Sequence, residues 1–284
     1  MNTRRFSRRA FLGSAAAATV MWRSLAQSSK PRVGCQANAF VVRNGNFEAL
    51  LPVLKTIASL GYAGFECNSH LVHTEFTSPS EARKKIKATG LEFIGMHMSM
   101  ADADAVLEAT SAGGAALGCH NVVMSAAGLS QTGEFAPDAL ATKAERLEIY
   151  GKICKSHGLK LAYHNHMPEF ANHNAEIQGL AERTNPELVS FLIDAGHGYQ
   201  GGGNPAEFMR KNPHRIVGCH LKTFRNNTEQ VPLGKGDFGF EDLAAAIRAT
   251  GWTGWLIDEE GGGQTSDSAA VRPDRAYIRS IFGV

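Results

Sequence analysis

Val189-Ser190-Phe191-Leu192-Ile193-Asp194-Ala195-Gly196-His197 is an apolar run that stops at a carboxylate and carries an imidazole one turn later. A strand with one wet face alternates apolar and polar residues, whereas this run is apolar at almost every position. It suits a parallel sheet covered by helices. The same pattern recurs along the chain, with strands expected to begin near Val33, Gly64, Leu91, Asn121, Leu159, Val189, Ile216 and Gly254. Their mean spacing is about 32 residues, the size of one βα unit with its loops.

The segments between the strands carry helix punctuation. Asn46 opens a helix whose Leu50, Val53, Leu54, Ile57 and Leu60 share one face before Gly61 ends it. Ser78-Pro79-Ser80-Glu81 and Asn204-Pro205-Ala206-Glu207 each place a cap, a proline at the first helical position and a carboxylate at the third. Leu140, Ala144, Leu147 and Cys154 form the stripe of the longest helix, which stops at Gly158. Eight such units predict an α/β fold, a closed (βα)8 TIM barrel. The competing dinucleotide fold needs a glycine fingerprint, and the first strand ends instead in Cys35-Gln36-Ala37-Asn38.

In such a barrel the chemistry sits at the carboxyl ends of the strands. The polar residues closing the runs are Asn38, Glu66, His97, Ser125, the His164 to His166 cluster, Asp194, His220 and Glu259, six of the eight ends being ionisable. Desolvating that many ionisable groups needs compensation, for which a bound cation is the economical source. Asp194 would bind it while His197 reaches a substrate oxygen, although a capping Asp is the plainer alternative. His220 and Lys222 share one parity, so the imidazole would coordinate and the ammonium would hold an oxyanion. Glu259 shares parity with Ile257 and Trp255 and is chosen over Glu260 as the inward carboxylate. His164 and His166, at spacing two, face one side, and Glu169 follows in the loop over the mouth. In Leu233-Gly234-Lys235-Gly236-Asp237, glycines around a lysine fit either an anion cradle or a flexible loop.

Ser7-Arg8-Arg9-Ala10-Phe11-Leu12-Gly13, an apolar run to Trp22 and Ser24-Leu25-Ala26 read as a twin-arginine signal peptide over residues 1–26. Its apolar run falls well short of the roughly 20 residues that span a bilayer. The catalytic barrel is then expected over 27–284, in the periplasm, touching the membrane only through the leader. Without the leader, 29 basic and 27 acidic residues become 24 and 27. A chain near −3 has no basic field for nucleic acid. The five cysteines include no close pair and read as small core hydrophobes.

Tyr163-His164-Asn165-His166-Met167-Pro168-Glu169-Phe170, Asp194 with His197, His220-Leu221-Lys222, Leu233-Gly-Lys-Gly-Asp237 and Glu259 together resemble the xylose isomerase-like TIM barrels. That group includes sugar phosphate isomerases and epimerases, inosose dehydratases and endonuclease IV. The resemblance covers the whole chain after the leader. It implies a divalent metal held by Glu, Asp, His and Glu from strands five to eight. The last three map to Asp194, His220 and Glu259. Tyr163 stands where the first glutamate would be, so Glu169, the nearest carboxylate, completes the expected set. Mn²⁺ is the expected ion, with Zn²⁺, Co²⁺ or Mg²⁺ as alternatives.

The implied reaction is proton abstraction beside a carbonyl of a keto-sugar or inositol-like polyol. His166 or Glu259 would be the base and Lys222 would steady oxygen. Glu66, His97, His164 and His197 would bind the substrate. Protonation of the other face is epimerisation, proton delivery to the neighbouring carbon is isomerisation, and loss of a β-oxygen is dehydration. A non-catalytic carbohydrate-binding protein and a metal-dependent hydrolase are the rival readings. Endonuclease IV is disfavoured, because it has an Asp-x-His after the seventh strand that this chain lacks.

Overall fold

The computed structural model describes residues 30–42, 45–260 and 271–284. Residues 1–26, read as a leader, lie outside the described residues. Eight parallel strands close into a barrel: β1 (Arg32–Gln36), β2 (Gly64–Asn68), β3 (Glu92–Ser99), β4 (Asn121–Ser125), β5 (Lys160–His164), β6 (Val189–Asp194), β7 (Ile216–Leu221) and β10 (Trp255–Asp258). Neighbours in the wall follow chain order, and β10 pairs with both β1 and β7. Strand starts expected at Val33, Leu91, Leu159 and Gly254 are each found one residue away. A short antiparallel hairpin, β8 (Thr223–Arg225) with β9 (Glu229–Val231), leaves the end of β7. Three-residue strands are too short to show a period along the sequence.

The lumen is plugged below its carboxyl end by Ile94, Val123, Ala162, Leu192 and Ile257. Glycine makes that plug fit: a Cβ on Gly34 would sit 2.4 Å from Ile94 Cδ1, and one on Gly64 would sit 2.9 Å from Trp255. Strand alternation then dictates what lies above the plug. Two residues beyond Ala162, Leu192 and Ile257 come His164, Asp194 and Glu259. Sequence parity therefore lifts an imidazole and two carboxylates into the mouth on an apolar floor.

Helices α1 (Phe47–Ser59), α2 (Pro79–Ala88), α3 (Ala103–Leu117), α4 (Pro137–Ser156), α5 (Ala171–Arg183), α6 (Ala195–Gln200), α7 (Pro205–Lys211), α8 (Glu241–Thr250) and α9 (Val271–Phe282) cover the wall. The first turn of α5 is broken by left-handed Asn172, His173 and Asn174. Asn46 and Asn204 cap α1 and α7, each accepting from the backbone N–H three residues on at 2.9 Å. Ser78 makes no such bond, so its side chain does not cap α2 as expected, although Pro79 does begin that helix. All five cysteines are free and buried, four of them on or next to strands, in the layer between sheet and helices. No helix among the described residues is long and apolar enough to cross a membrane.

Candidate active site

Six of the side chains that close the strands meet at the barrel mouth. His164, Asp194, His220 and Glu259 each offer a ligand atom, all within 4.8 Å of one another, and all four residues are buried. Lys222 Nζ lies 2.9 Å from Asp194 Oδ2 and 2.8 Å from Glu259 Oε2. His220 spans the lumen, with Nδ1 2.5 Å from Glu259 Oε2 and Nε2 2.7 Å from Glu66 Oε2. His97 Nε2 reaches that same Glu66 oxygen at 2.8 Å.

These contacts set the charge states. Burial raises the Glu66 carboxyl, but the His220 and His97 imidazoles outweigh it and hold it down to about 2. Burial likewise opposes the charged His220, yet Glu259 and Glu66 lift it to about 10. Glu259 is held well below the usual carboxylate range, because His220 and Lys222 overcome its desolvation. Desolvation, with the His220 charge adding to it, pushes His164 well below an ordinary imidazole.

Asp194 is held from the end of β5 by Asn165 and from α6 by His197. Asn165 Oδ1 accepts from the Asp194 N–H at 2.8 Å and Asn165 Nδ2 donates to the Asp194 carbonyl at 3.1 Å. Asp194 Oδ1 accepts from the His197 N–H at 2.8 Å, so Asp194 caps α6 and faces the site at once. His197 Nδ1 lies 2.8 Å from Gln200 Oε1, and its ring stacks on Phe224 with centroids 5.3 Å apart. Asn38 Nδ2 donates to Glu259 Oε1 at 3.2 Å. Sequence reasoning has Asn38 only as a strand end and passes over Asn165 inside its motif. The signal for Asn165 is an amide between two histidines at a strand end.

Three expected roles are corrected by position. His164, expected at the substrate, lines the cavity but also joins the ring of ligand atoms. Glu169 does not join the ring of ligand atoms. Its Oε1 accepts from Tyr163 Oη at 2.7 Å and its Oε2 from the His166 backbone N–H at 3.1 Å, with Lys143 Nζ 4.0 Å away. Tyr163 points into the outer core, so the inward position at the end of β5 belongs to His164, and Glu169 follows the tyrosine outward. Lys143 is paired in turn with Glu176, whose Oε2 accepts from the Leu129 N–H at 2.6 Å. The sequence signal for this network is a lysine inside the apolar stripe of α4. Glu66 is expected at the substrate, but it is fully buried beneath His97 and His220.

A cavity of about 410 Å³ opens above the ring, lined by Asn38, Asn68, His97, Ser125, His164, His166 and Glu259 among others. That volume suits a small ligand. The His166 ring reaches its solvent, although crowding by the protein and the nearby His197 push its pKa down. A larger cavity of about 620 Å³ lies at the other end of the barrel, around His120, Lys160 and Trp252, away from all of these groups.

The donor set fits a divalent cation. His164 Nδ1 is buried without a hydrogen-bond partner, and Asp194 Oδ2 receives no well-directed hydrogen bond despite the nearby ammonium. Two imidazoles and two carboxylates within 4.8 Å form a nitrogen and oxygen set of the kind borderline divalent ions take.

A barrel carrying such a ring at its carboxyl end defines a class of proteins, and the chain belongs to it. It is a member of the xylose isomerase-like TIM barrel family, whose profile matches residues 54–281. The chain is 32% identical over 135 residues to inosose dehydratase 1 of Bacillus cereus, covering 41% of this chain and 45% of the dehydratase. It is 31% identical over 134 residues to the inosose dehydratase of Salmonella typhimurium, covering 40% and 44%. The chain thus spans less than half the length of these curated relatives. Among solved structures, a sugar phosphate isomerase/epimerase from Parabacteroides distasonis superposes with TM-score 0.69 at 20% identity, over 90% of this chain and 96% of that one. The 3-keto-D-glucoside 4-epimerase of E. coli gives 0.66 at 17%, over 90% and 100%. These two likenesses show the fold.

Proposed function

We propose that the chain is a divalent-metal-dependent enzyme that removes a proton from the carbon beside a carbonyl of a keto-sugar or inositol-like polyol. The observation that carries this reading is the ring of His164, Asp194, His220 and Glu259 beneath a polar cavity with His166 at its edge. Those four residues would hold the cation, Mn²⁺ being favoured over Zn²⁺, Co²⁺ and Mg²⁺. Bound there, it supplies Lewis-acid polarisation of the substrate carbonyl.

His166 is the better base of the two considered. Its pKa is lowered, its ring is open to the cavity and its backbone is fixed by Glu169. Glu259 is tied to His220, Lys222 and Asn38 and held strongly ionised, which makes it a poor proton acceptor and a good ligand. Lys222 keeps its ammonium, because Asp194 and Glu259 raise its pKa against burial, and it stands where negative charge on a substrate oxygen would be steadied. His97 lines the cavity and the His197 ring lies 5.4 Å from that of His166, and both would orient hydroxyls.

After proton removal, return to the other face of the same carbon gives an epimer and delivery to the neighbouring carbon gives an isomer. Loss of a β-hydroxyl gives a dehydrated product instead. Dehydration is the second reading, favoured by the identity of about a third to inosose dehydratases. Incubation with Mn²⁺ and a panel of ketoses, inososes and 3-keto-glycosides in D₂O tests the shared step. Deuterium should enter the carbon next to the carbonyl, and His166→Gln should lower its rate by roughly 10²- to 10⁴-fold. Product formation without deuterium would point to hydrolysis. Sugar binding without exchange or product would point to a carbohydrate-binding protein.

We also read residues 1–26 as a twin-arginine leader delivering the folded chain to the periplasm, on the strength of Ser7-Arg8-Arg9-Ala10-Phe11-Leu12. Replacing Arg8 and Arg9 together by lysine should leave the protein in the cytoplasmic fraction. Unchanged export would dismiss the leader.

A further inference from the structure

We propose that Glu66 is a positioning residue for the cation site, a buried carboxylate that fixes the His220 imidazole so that Nδ1 faces Asp194 and Glu259. The inference rests on the cation reading above and adds a residue to it. Glu66 lies on β2 and His220 on β7, with β1 and β10 between them around the wall, so their contact crosses the lumen. A carboxylate oxygen only accepts, so at 2.7 Å from Glu66 Oε2 the His220 Nε2 carries a proton. Without a cation Nδ1, 2.5 Å from Glu259 Oε2, carries one as well, and a cation entering the ring of ligand atoms would displace that proton while Glu66 keeps the one on Nε2. A hydrogen bond of this kind behind a ligating imidazole sets its tautomer, its orientation and its basicity.

The position of Glu66 is built in twice over. Its side chain is fully buried between Phe65 and Cys67, which anchor β2 in the outer core. Across from it, a Cβ on residue 95 would sit 3.0 Å from Glu66 Oε1 and 2.7 Å from Val123 Cγ2, so Gly95 leaves the room the carboxylate occupies. His97 Nε2 donates to the same oxygen from the cavity side. The carboxylate is thus braced by two imidazoles and cannot follow a substrate.

The test is calorimetric titration of Mn²⁺ into the chelator-stripped full chain, with ¹⁵N–¹H spectra of the histidine rings in the Zn²⁺-loaded protein. Glu66→Gln should weaken Mn²⁺ binding roughly 10- to 100-fold, while His97→Gln, which leaves the bond from Glu66 to His220 in place, should change it less than about threefold. The wild-type spectrum should show His220 protonated at Nε2, a signature that a purely structural role for Glu66 does not require. Unchanged affinity in Glu66→Gln overturns the proposal. So does an equal loss in His97→Gln, or a His220 ring protonated at Nδ1 in the loaded wild type, a reading that needs no variant to fold. A wild-type chain that takes up neither ion overturns the cation reading and this inference together. Binding that ignores Glu66 overturns this inference alone.

Discussion

The molecule buries carboxylates in two places, inside the barrel and outside it, and treats them in opposite ways. Within the mouth, Glu66 and Glu259 are interleaved with His220 and Lys222 and are driven below the ordinary carboxylate range. Outside the wall, Asp258 at the end of β10 and Asp274 on α9 lie near Tyr62, where burial comes first, Glu260 and Glu259 then raise Asp258, and Asp258 and Glu260 raise Asp274. Asp258 is lifted to about 7 and Asp274 to about 9. Tyr62 Oη donates to Asp258 Oδ2, and the Leu233 N–H donates to Asp274 Oδ1 at 2.9 Å. Desolvation penalises both groups of carboxylates. The sign of the neighbours decides whether the result is an ionised set fit to hold a cation or a protonated pair fit only to hold a helix.

The largest effect should come from making the inner set resemble the outer one. Lys222→Met leaves Asp194 and Glu259 facing each other, and unfolding at neutral pH should show a loss of about 3–5 kcal/mol. Turnover should fall about 10²- to 10³-fold at the same time. Unchanged stability would mean that solvent reaches these carboxylates and that the inner and outer environments do not differ as described.

The outer pair predicts the next largest effect, and its sign follows from linkage. Both carboxyls have folded pKa values above the unfolded reference of 3.8, so the folded state holds the extra protons. Their stabilising contribution is complete below about pH 4 and is lost as pH rises through about 7 and then 9. Wild-type stability should therefore fall from pH 6 to pH 9. Asp274→Asn, which keeps an acceptor for Leu233, should flatten that fall and exceed the wild type by about 1–3 kcal/mol at pH 9. Parallel pH curves for the two proteins would refute a raised Asp274.

Glu169 lies in a third place, partnered by a phenol and a backbone N–H. Tyr163→Phe removes only the phenol. It should cost about 1 kcal/mol in stability and lower kcat through the His166 backbone without shifting Mn²⁺ affinity. A fall in Mn²⁺ affinity would bring Glu169 back toward the ring of ligands.

The barrel and much of its inner set are legible along the chain, and the limits are physical. The eight apolar runs announce the barrel because a parallel wall must be apolar on both faces, and strand starts fall within one residue of expectation. Asp194, His220, Lys222 and Glu259 can be placed inward because each shares parity with an apolar plug or a fellow polar residue. The β5 end is displaced by one position from the family comparison. Tyr163 takes the inward place in that comparison, although alternation from Ala162 gives it to His164. Register shifts beside Phe65 and Phe191 show how easily such phases slip. Glu169 is beyond reach, because its destination depends on Lys143 of α4 and on a tyrosine facing outward. The Tyr62, Asp258 and Asp274 cluster is equally hidden, assembled as it is from opposite ends of the chain.

The five thiols Cys35, Cys67, Cys119, Cys154 and Cys219 all lie in the layer between sheet and helices, and burial pushes every one of them up. The reactive thiolate is thereby withheld at neutral pH, and the fold does not depend on the redox poise of its surroundings. The same arrangement is a clock. A thiol reagent added to the native protein can react only when the helical shell lifts from the wall, so its labelling rate counts those openings one by one.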